Sequence, residues 1–323
     1  MMKKRFLLLT LVFTLIVGLS ACAGNQESEK AVIKYAVMTG PTGVGSVNLI
    51  ENSNTENSKF DIEETIVGTP DEIVSALVSE NLDMAVVPAN LASVLYKKTE
   101  GKILVLATNN LGVLYIVEIG NEINSLEDLR GKTVMSAGKG ATPETVFNYI
   151  MTKNNLICDT DWNFEFKSEA TEVAQNLLSG KGTVALLPEP MVTTVLSQNE
   201  NARIAIKLDD EWGKLNETPQ ITSVLVARRD FLETIDTEEF LKEYKSSIET
   251  ALSDTENTSE LLDKYNIMKA EAAAKSIPNM NLFYMDKAEL KESMTEYLQI
   301  LFEANPQSVG GSVPGEDFFY MGK

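Results

Sequence analysis

Residues 69–88 read TPDEIVSALVSENLDMAVVP, and residues 169–188 read EATEVAQNLLSGKGTVALLP. At an offset of 100, Glu72, Leu77, Ser79, Ala85 and Pro88 recur as Glu172, Leu177, Ser179, Ala185 and Pro188. Ile73, Val78, Val86 and Val87 recur conservatively as Val173, Leu178, Leu186 and Leu187. Both copies place an apolar helical stripe before a short turn, an apolar strand and a closing proline. Pro70, followed by Asp71 and Glu72, has the pattern of a helix start. Two copies are too few for a solenoid, so the repeat predicts two units of similar design.

Working outward, the same alternation fills most of the chain. Val32–Met38 reads as a strand, Thr39–Gly45 as a loop and Ser46–Glu51 as a short helix. Asp61–Val67 and Met84–Val87 read as strands, and Leu91–Lys97 as a helix. The second unit has strands at Lys132–Ser136, Asn163–Lys167 and Val184–Leu187. Its helices begin at Pro143 and Glu169, and a further helix follows Pro188-Glu189-Pro190. Strands alternating with helices predict an α/β fold with mainly parallel sheets. Asp209–Gln220 reads as a polar, turn-rich stretch, Ile221–Ala227 as a strand returning to the first unit, and Thr237–Ala304 as mostly helical.

In open α/β sheets, ligands bind beyond the carboxyl ends of the strands. Four loops lie there: Thr39–Gly45, Pro88–Asn90, Ala137–Thr142 and Pro188–Pro190. Each leads into a helix N-terminus, where unpaired N–H groups favour an anionic or strongly polar ligand. The candidate contacts are Thr39, Gly40, Pro41, Thr42, Gly43, Asn90, Gly138, Lys139, Gly140, Thr142 and Glu189. Glycines at 40, 43, 138 and 140 suit turns of positive φ or close approach of a ligand to the backbone. Their spacing fits neither the dinucleotide fingerprint nor a P-loop. Thr39, Thr42, Ser46 and Thr142 suit helix caps equally well, and Asn90 is either a cap or a ligand fork. Lys139 is the one cation in the four loops. Glu189 either accepts from a ligand amine or complements a helix N-terminus. Tyr35, Tyr115 and Phe147 either stack on a ligand ring or, as expected, belong to the core.

The 323 residues carry 28 Lys and Arg against 47 Asp and Glu, for a net charge of −19. That balance opposes nucleic-acid binding, which needs a basic face. The chain has no histidine, which removes histidine triads and histidine-ligated zinc. Two cysteines supply no disulfide framework. Glu63-Glu64 and Asp209-Asp210-Glu211 lack EF-hand spacing and read as solvated faces. No metal or other cofactor is expected.

The N-terminus, Met1-Met2-Lys3-Lys4-Arg5 followed by the apolar Phe6–Leu19, has the form of a secretory signal peptide too short to span a membrane. Leu19-Ser20-Ala21-Cys22 resembles a bacterial lipobox, which implies that Cys22 is lipidated and becomes the first mature residue. Processing would leave 302 residues with net charge −22. Residues 22–30 read as a tether, and Cys158 as a buried thiol.

Five features occur in order: the lipobox, the Gly40-Pro41-Thr42-Gly43 loop, the Thr69–Pro88 unit, Ser125-Leu126-Glu127-Asp128-Leu129-Arg130-Gly131-Lys132, and Pro188-Glu189-Pro190. Together they resemble the substrate-binding lipoproteins of ABC importers in the nitrate/sulfonate/taurine and thiamine-precursor group. The resemblance implies a type II periplasmic-binding-protein fold: two α/β lobes with a ligand cleft between them. Lobe I would comprise residues 31–110 and 222–323, and lobe II residues 111–221, with crossovers near Leu111–Glu118 and Gln220–Ala227. It implies a monomeric, non-catalytic protein, anchored to the membrane by lipid alone on its extracytoplasmic face. Its partners would be a small-molecule solute and an ABC permease with its ATPase. The expected solute is a sulfonate- or carboxylate-like anion or a heteroaromatic precursor. Two other readings are an enzyme on the same fold and a surface sensor lipoprotein. The thiamine-pyrimidine-making relatives use an active-site histidine, which this chain lacks, and the dehydratase-like relatives are cytoplasmic.

Overall fold

The computed structural model describes residues 30–56 and 58–322. The signal peptide, Cys22 and nearly all of the tether lie outside the described residues. Among the described residues, ten strands form two five-stranded sheets, ordered β2-β1-β3-β10-β4 and β7-β6-β8-β5-β9. In the first sheet the strands are β1 (Ala31–Met38), β2 (Phe60–Val67), β3 (Met84–Pro88), β4 (Ile103–Leu111) and β10 (Ile221–Arg228). In the second they are β5 (Leu114–Ile119), β6 (Thr133–Ala137), β7 (Asn163–Lys167), β8 (Val184–Pro188) and β9 (Ala202–Lys207). The orders correspond position for position: in each sheet the fourth place is taken by a strand out of sequence order, the last strand, β10, in the first sheet and the earliest, β5, in the second. That strand runs antiparallel to its neighbours, β10 against β3 and β4, and β5 against β8 and β9. The remaining pairings of β1 with β3, and of β6 with β7 and β8, are parallel.

The repeat keeps its offset of 100 in three dimensions. Helix α3 (Pro70–Val78) corresponds to α6 (Ala170–Leu178), and β3 corresponds to β8. Ile73 and Leu77 are buried on α3, Val173 and Leu177 on α6. Both helices reverse at equivalent residues of positive φ, Glu80 at 61° and Gly180 at 73°. Residues 84–87 and 184–187 are buried on both faces, which explains why they read as unbroken apolar runs.

The first sheet is flanked by the short helices α1 (Pro41–Val44) and α2 (Val47–Ser53), and by α4 (Ala89–Lys98). The second carries α5 (Thr142–Lys153) and α7 (Met191–Gln198). Two differences from the sequence reading stand out. Thr39–Gly45 contains a one-turn helix, because Pro41 supplies a helical φ at its start. The stretch read as turn-rich contains α8 (Leu208–Gly213), which buries Leu208 and Trp212. After α9 (Arg229–Leu232) come α10 (Thr237–Ser253), α11 (Thr255–Lys264), α12 (Ala270–Ser276) and α13 (Lys287–Ala304), as the helical pattern predicts. No described helix is long and apolar enough to cross a membrane.

The larger apolar cluster takes residues from both sheets, Val87 and Val224 from the first and Ile116 and Leu186 from the second. A second cluster joins Val117 and Leu187 to Val173 and Val195. Tyr35 and Phe147 are fully buried, as expected, whereas Cys158 is only half-buried. Within the first sheet lies a buried polar network. Asn109 donates to Thr42 O (3.3 Å) and Ser223 Oγ (3.0 Å), and accepts from Tyr244 Oη (3.0 Å).

Gly45 borders that network. A β-carbon there would sit 2.2 Å from Asn109 Oδ1 and 3.0 Å from Ile248 Cγ1. At Gly182 the obstruction is the flexible end of Met135, at 2.8 Å. Gly45→Ala should therefore destabilise the fold by about 1–3 kcal/mol, and Gly182→Ala by much less. Chemical denaturation of the two variants checks this; equal losses would contradict the packing argument.

Candidate functional site

Parallel pairing sets the predicted loops in pairs. Because β1 and β3 run together, Thr39–Gly45 and Pro88–Asn90 leave the same end of the first sheet. The parallel pairing of β6 and β8 does the same for Ala137–Thr142 and Pro188–Pro190 in the second.

In the first loop, Thr39 is exposed and its N–H bonds Val67 O at 2.9 Å. Gly40 has φ 86° and ψ −155°, a conformation suited to glycine. Its N–H reaches Ile267 O at 3.2 Å. Pro41 starts α1, and the Thr42 hydroxyl donates to Met38 O at 3.4 Å. Gly43 is closed off by protein: a β-carbon would lie 2.7 Å from both Ile267 Cγ2 and Met38 O. Packing is therefore sufficient reason for glycine at 43, and any substitution there changes stability as well as the loop.

Asn90 does not cap its helix; its amide donates to Ser308 O at 3.1 Å and ties α4 to the C-terminal segment. In the second sheet, Gly138 and Gly140 have φ of 75° and 79°, and no atom lies within 4 Å of a β-carbon built at Gly140. Gly140 N–H donates to Glu144 at 2.5 Å. Lys139 is exposed, with its ammonium 5.7 Å from the centre of the Phe166 ring. Thr142 is the first residue of α5, whose cap is Ala141. A groove of about 520 Å³ opens here, lined by Gly140, Glu144, Asn148 and Tyr149 on one side and by Glu303 and Asn305 of the C-terminal segment on the other.

Glu189 is 2% exposed and is held by its own helix. Its carboxylate accepts from Thr193 N–H (3.1 Å) and Thr193 Oγ1 (3.0 Å), the helix-terminus role. Burial raises its pKa; the Thr193 and Asn279 hydrogen bonds only partly oppose this. Asp209 is raised in the same way, chiefly by burial and then by the neighbouring Asp210, with hydrogen bonds from Asn281 and Gly112 opposing.

Tyr115 and two groups that the sequence did not single out, Asn281 and Trp212, complete the region. Tyr115, expected in the core, is buried, yet its hydroxyl donates to Asn279 O at 2.5 Å. Asn281 donates to Asp209 (2.9 Å) and to Gly112 O (3.2 Å). Trp212 lies between Tyr149 and Tyr297, with ring centres at 5.2 and 5.7 Å, and donates to Thr218 O at 2.8 Å. The structure thus brings the candidate loops together in pairs within each sheet. Polar and aromatic contacts between the second unit and the C-terminal segment include those of Tyr115, Asp209 and Trp212. Among the described residues, no cluster of His, Cys, Asp or Glu is arranged to hold a metal ion.

Residues 55–276 match the family described as ABC transporter, phosphonate, periplasmic substrate-binding protein. No curated protein matches the chain. Among solved structures, the chain is similar to an ABC transporter from Parabacteroides distasonis, at 24% identity and a TM-score of 0.76, covering 90% of this chain and 99% of that one. It is also similar to the periplasmic aliphatic sulphonate binding protein SsuA from Escherichia coli, at 15% identity, TM-score 0.69, and coverage of 90% and 92%. The periplasmic nitrate-binding protein NrtA from Synechocystis PCC 6803 follows at 12% identity, TM-score 0.59, and coverage of 87% and 84%. These likenesses show the fold, that of type II periplasmic binding proteins.

The raised pKa of Glu189 has a measurable consequence. The unfolded chain releases this proton at an ordinary carboxylate pH, and the folded chain only at a higher one. Between those two values the folded state binds more protons, so its stability falls as pH rises and then levels off. Glu189→Gln cannot ionise, and should remove this loss while keeping an acceptor for Thr193. The difference in unfolding free energy between variant and parent should move in favour of the variant across that window. A pH-independent difference would contradict the assignment.

Proposed function

We propose, from the premise that this chain belongs to the phosphonate-type family of periplasmic substrate-binding proteins of ABC transporters, that it is a non-catalytic lipoprotein capturing a small solute for an ABC importer. The family and its solved relatives are transport binding proteins. The solute is a small anion of sulfonate, phosphonate or carboxylate type, with a neutral heteroaromatic ring as the second reading. It is held between lobe I (residues 31–110 and 222–323) and lobe II (residues 111–221), and the closed form is presented to the permease and its ATPase. The protein works as a monomer, anchored through Cys22 on the extracytoplasmic face, without cofactor or nucleic acid.

One observation carries the anion reading: the parallel strands of both sheets end in loops that run into helix N-termini, with glycines of positive φ at 40, 138 and 140. Such ends present backbone N–H groups and a favourable dipole to an oxyanion without needing many cations. The four loops contain only Lys139 as a cation. The second reading has its own support, because Glu144, Glu189 and Asp209 surround these loops with acceptors that suit a ligand bearing N–H donors. The lobe boundaries are supported by strand membership, since β10 belongs with β1–β4 and β5–β9 form the other sheet.

Two measurements test this function. A thermal-shift series with methylphosphonate, methanesulfonate, small carboxylates and pyrimidines should identify at least one stabilising compound. At 100 times its dissociation constant, such a ligand adds ~2.7 kcal/mol to stability. If no anion or heteroaromatic compound shifts the transition while compounds of another class do, the solute assignment fails. Separately, Cys22→Ala should abolish lipid labelling and release the protein from membranes; a variant still membrane-bound through its N-terminus would refute the anchor.

A further inference from the structure

The segment from Ile267 to Asn281 touches a candidate ligand loop on each side. At its start, Ile267 O accepts from Gly40, and the Ile267 side chain packs over Gly43. It then forms α12, which packs against α7 of the second sheet. At its end, Asn279 is engaged twice. Its backbone carbonyl accepts from the Tyr115 hydroxyl on β5 at 2.5 Å, and its side-chain amide neighbours the Glu189 carboxylate beyond β8, where it opposes the effect of burial on that carboxyl. Two residues later the segment is part of the first sheet's edge, where Leu111 N–H donates to Asn281 O at 2.9 Å and Asn110 pairs with Leu282.

Asn279 is therefore fixed to one sheet by the chain and to the other by the Tyr115 hydrogen bond, with the Glu189 carboxylate beside its amide. Glu189 and Tyr115 are 2% and 5% exposed, so both contacts are shielded from water. The Glu189 carboxylate is also oriented by Thr193, and so meets Asn279 with little freedom left to lose. We propose that Asn279, gripped by Tyr115 and Glu189, is a clasp that holds the two lobes closed before any solute is bound.

The inference rests on the two-lobe reading above and adds a specific closure contact to it. If the lobes separate, Tyr115, Glu189 and Asn279 become hydrated, so each contact contributes only its net value over water. That net value corresponds to about a fivefold change in the closed-to-open ratio per contact. Such a clasp biases closure without locking it, and a solute need supply only the remaining difference.

The test places spin labels at Ser75 and Gln175, exposed and equivalent positions on α3 and α6. Both are changed to Cys in a Cys22→Ala, Cys158→Ser background, and distances are read by double electron–electron resonance without added solute. The parent should show a dominant short distance with a minor longer one. Tyr115→Phe, which removes one hydroxyl, and Asn279→Ala should each raise the long-distance share about fivefold relative to the short one. Together their effects should multiply. Two populations whose ratio neither variant moves would overturn the clasp and leave the two-lobe reading standing. One narrow distance in the parent and in every variant would reject both. Should Asn279→Ala unfold the chain, Tyr115→Phe alone decides the outcome.

Discussion

The architecture depends on β10 filling the place between β3 and β4. It pairs antiparallel with both, from Ser223 opposite Pro88 to Ala227 opposite Met84 on one side, and from Ile221 opposite Leu111 to Arg228 opposite Ile103 on the other. Without it, two buried apolar strands would face each other across an unfilled row of N–H and C=O groups, a cost that buried backbone does not tolerate. The chain must therefore leave the first sheet after β4, build the second sheet, and return. That excursion produces two crossings, at Gly112–Val113 and after α8, and at these crossings the residues spanning the sheets collect. Gly112 shows how tight the first crossing is: a β-carbon there would lie 2.6 Å from Asp209 Oδ1 and 3.0 Å from Gln220 Oε1.

The same constraint orders the electrostatics. Glu189 and Asp209 are carboxylates removed from water near the crossings, and both retain raised pKa values despite the hydrogen bonds from Thr193, Asn279 and Asn281. Desolvation prevails because, among the described residues, no cation is paired with either carboxylate. Elsewhere the protein does pair its buried charge: Glu118, in the second sheet, meets Arg203 at 2.7 Å and also accepts from Glu122 and Ile123 N–H. The unpaired carboxylates lie near the crossings, and the paired one supports the sheet.

The large features were legible in the sequence because they rest on composition and period. Apolar runs closed by Pro88 and Pro188 mark strands, and Ile73/Leu77 and Val173/Leu177 mark helices, whatever surrounds them. Short helices were harder to read. The glycines of Gly40–Gly45 read as loop although Pro41 starts a turn of helix, and the acidic Asp209–Glu211 obscured α8 with its buried Trp212. Site residues fared unevenly. The loops could be located from strand ends, but the partners of Asn90 and Lys139 lie far off in sequence, at Ser308 and Phe166. Asn279 and Asn281 carry no local signal at all, since their importance comes from what the fold brings to them. Gly43 read as a turn of positive φ or a point of close ligand approach; its φ is not positive, and Ile267 and Met38 supply a packing reason that only the tertiary structure contains.

The placement of β10 also bears on how the chain becomes a protein. All five strands of the second sheet lie between Leu114 and Lys207, whereas the first sheet cannot join β3 to β4 until Ile221–Arg228 has arrived. On a chain emerging end-first, whether from a ribosome or through a membrane pore, the later-made sheet is thus the first that can close. Meanwhile β1, β3 and β4 wait, with apolar faces such as Val86, Val87 and Val105 still open. A long-range pairing of this kind slows folding. Slowness of that sort suits a polypeptide that has to stay threadable until it has crossed a membrane.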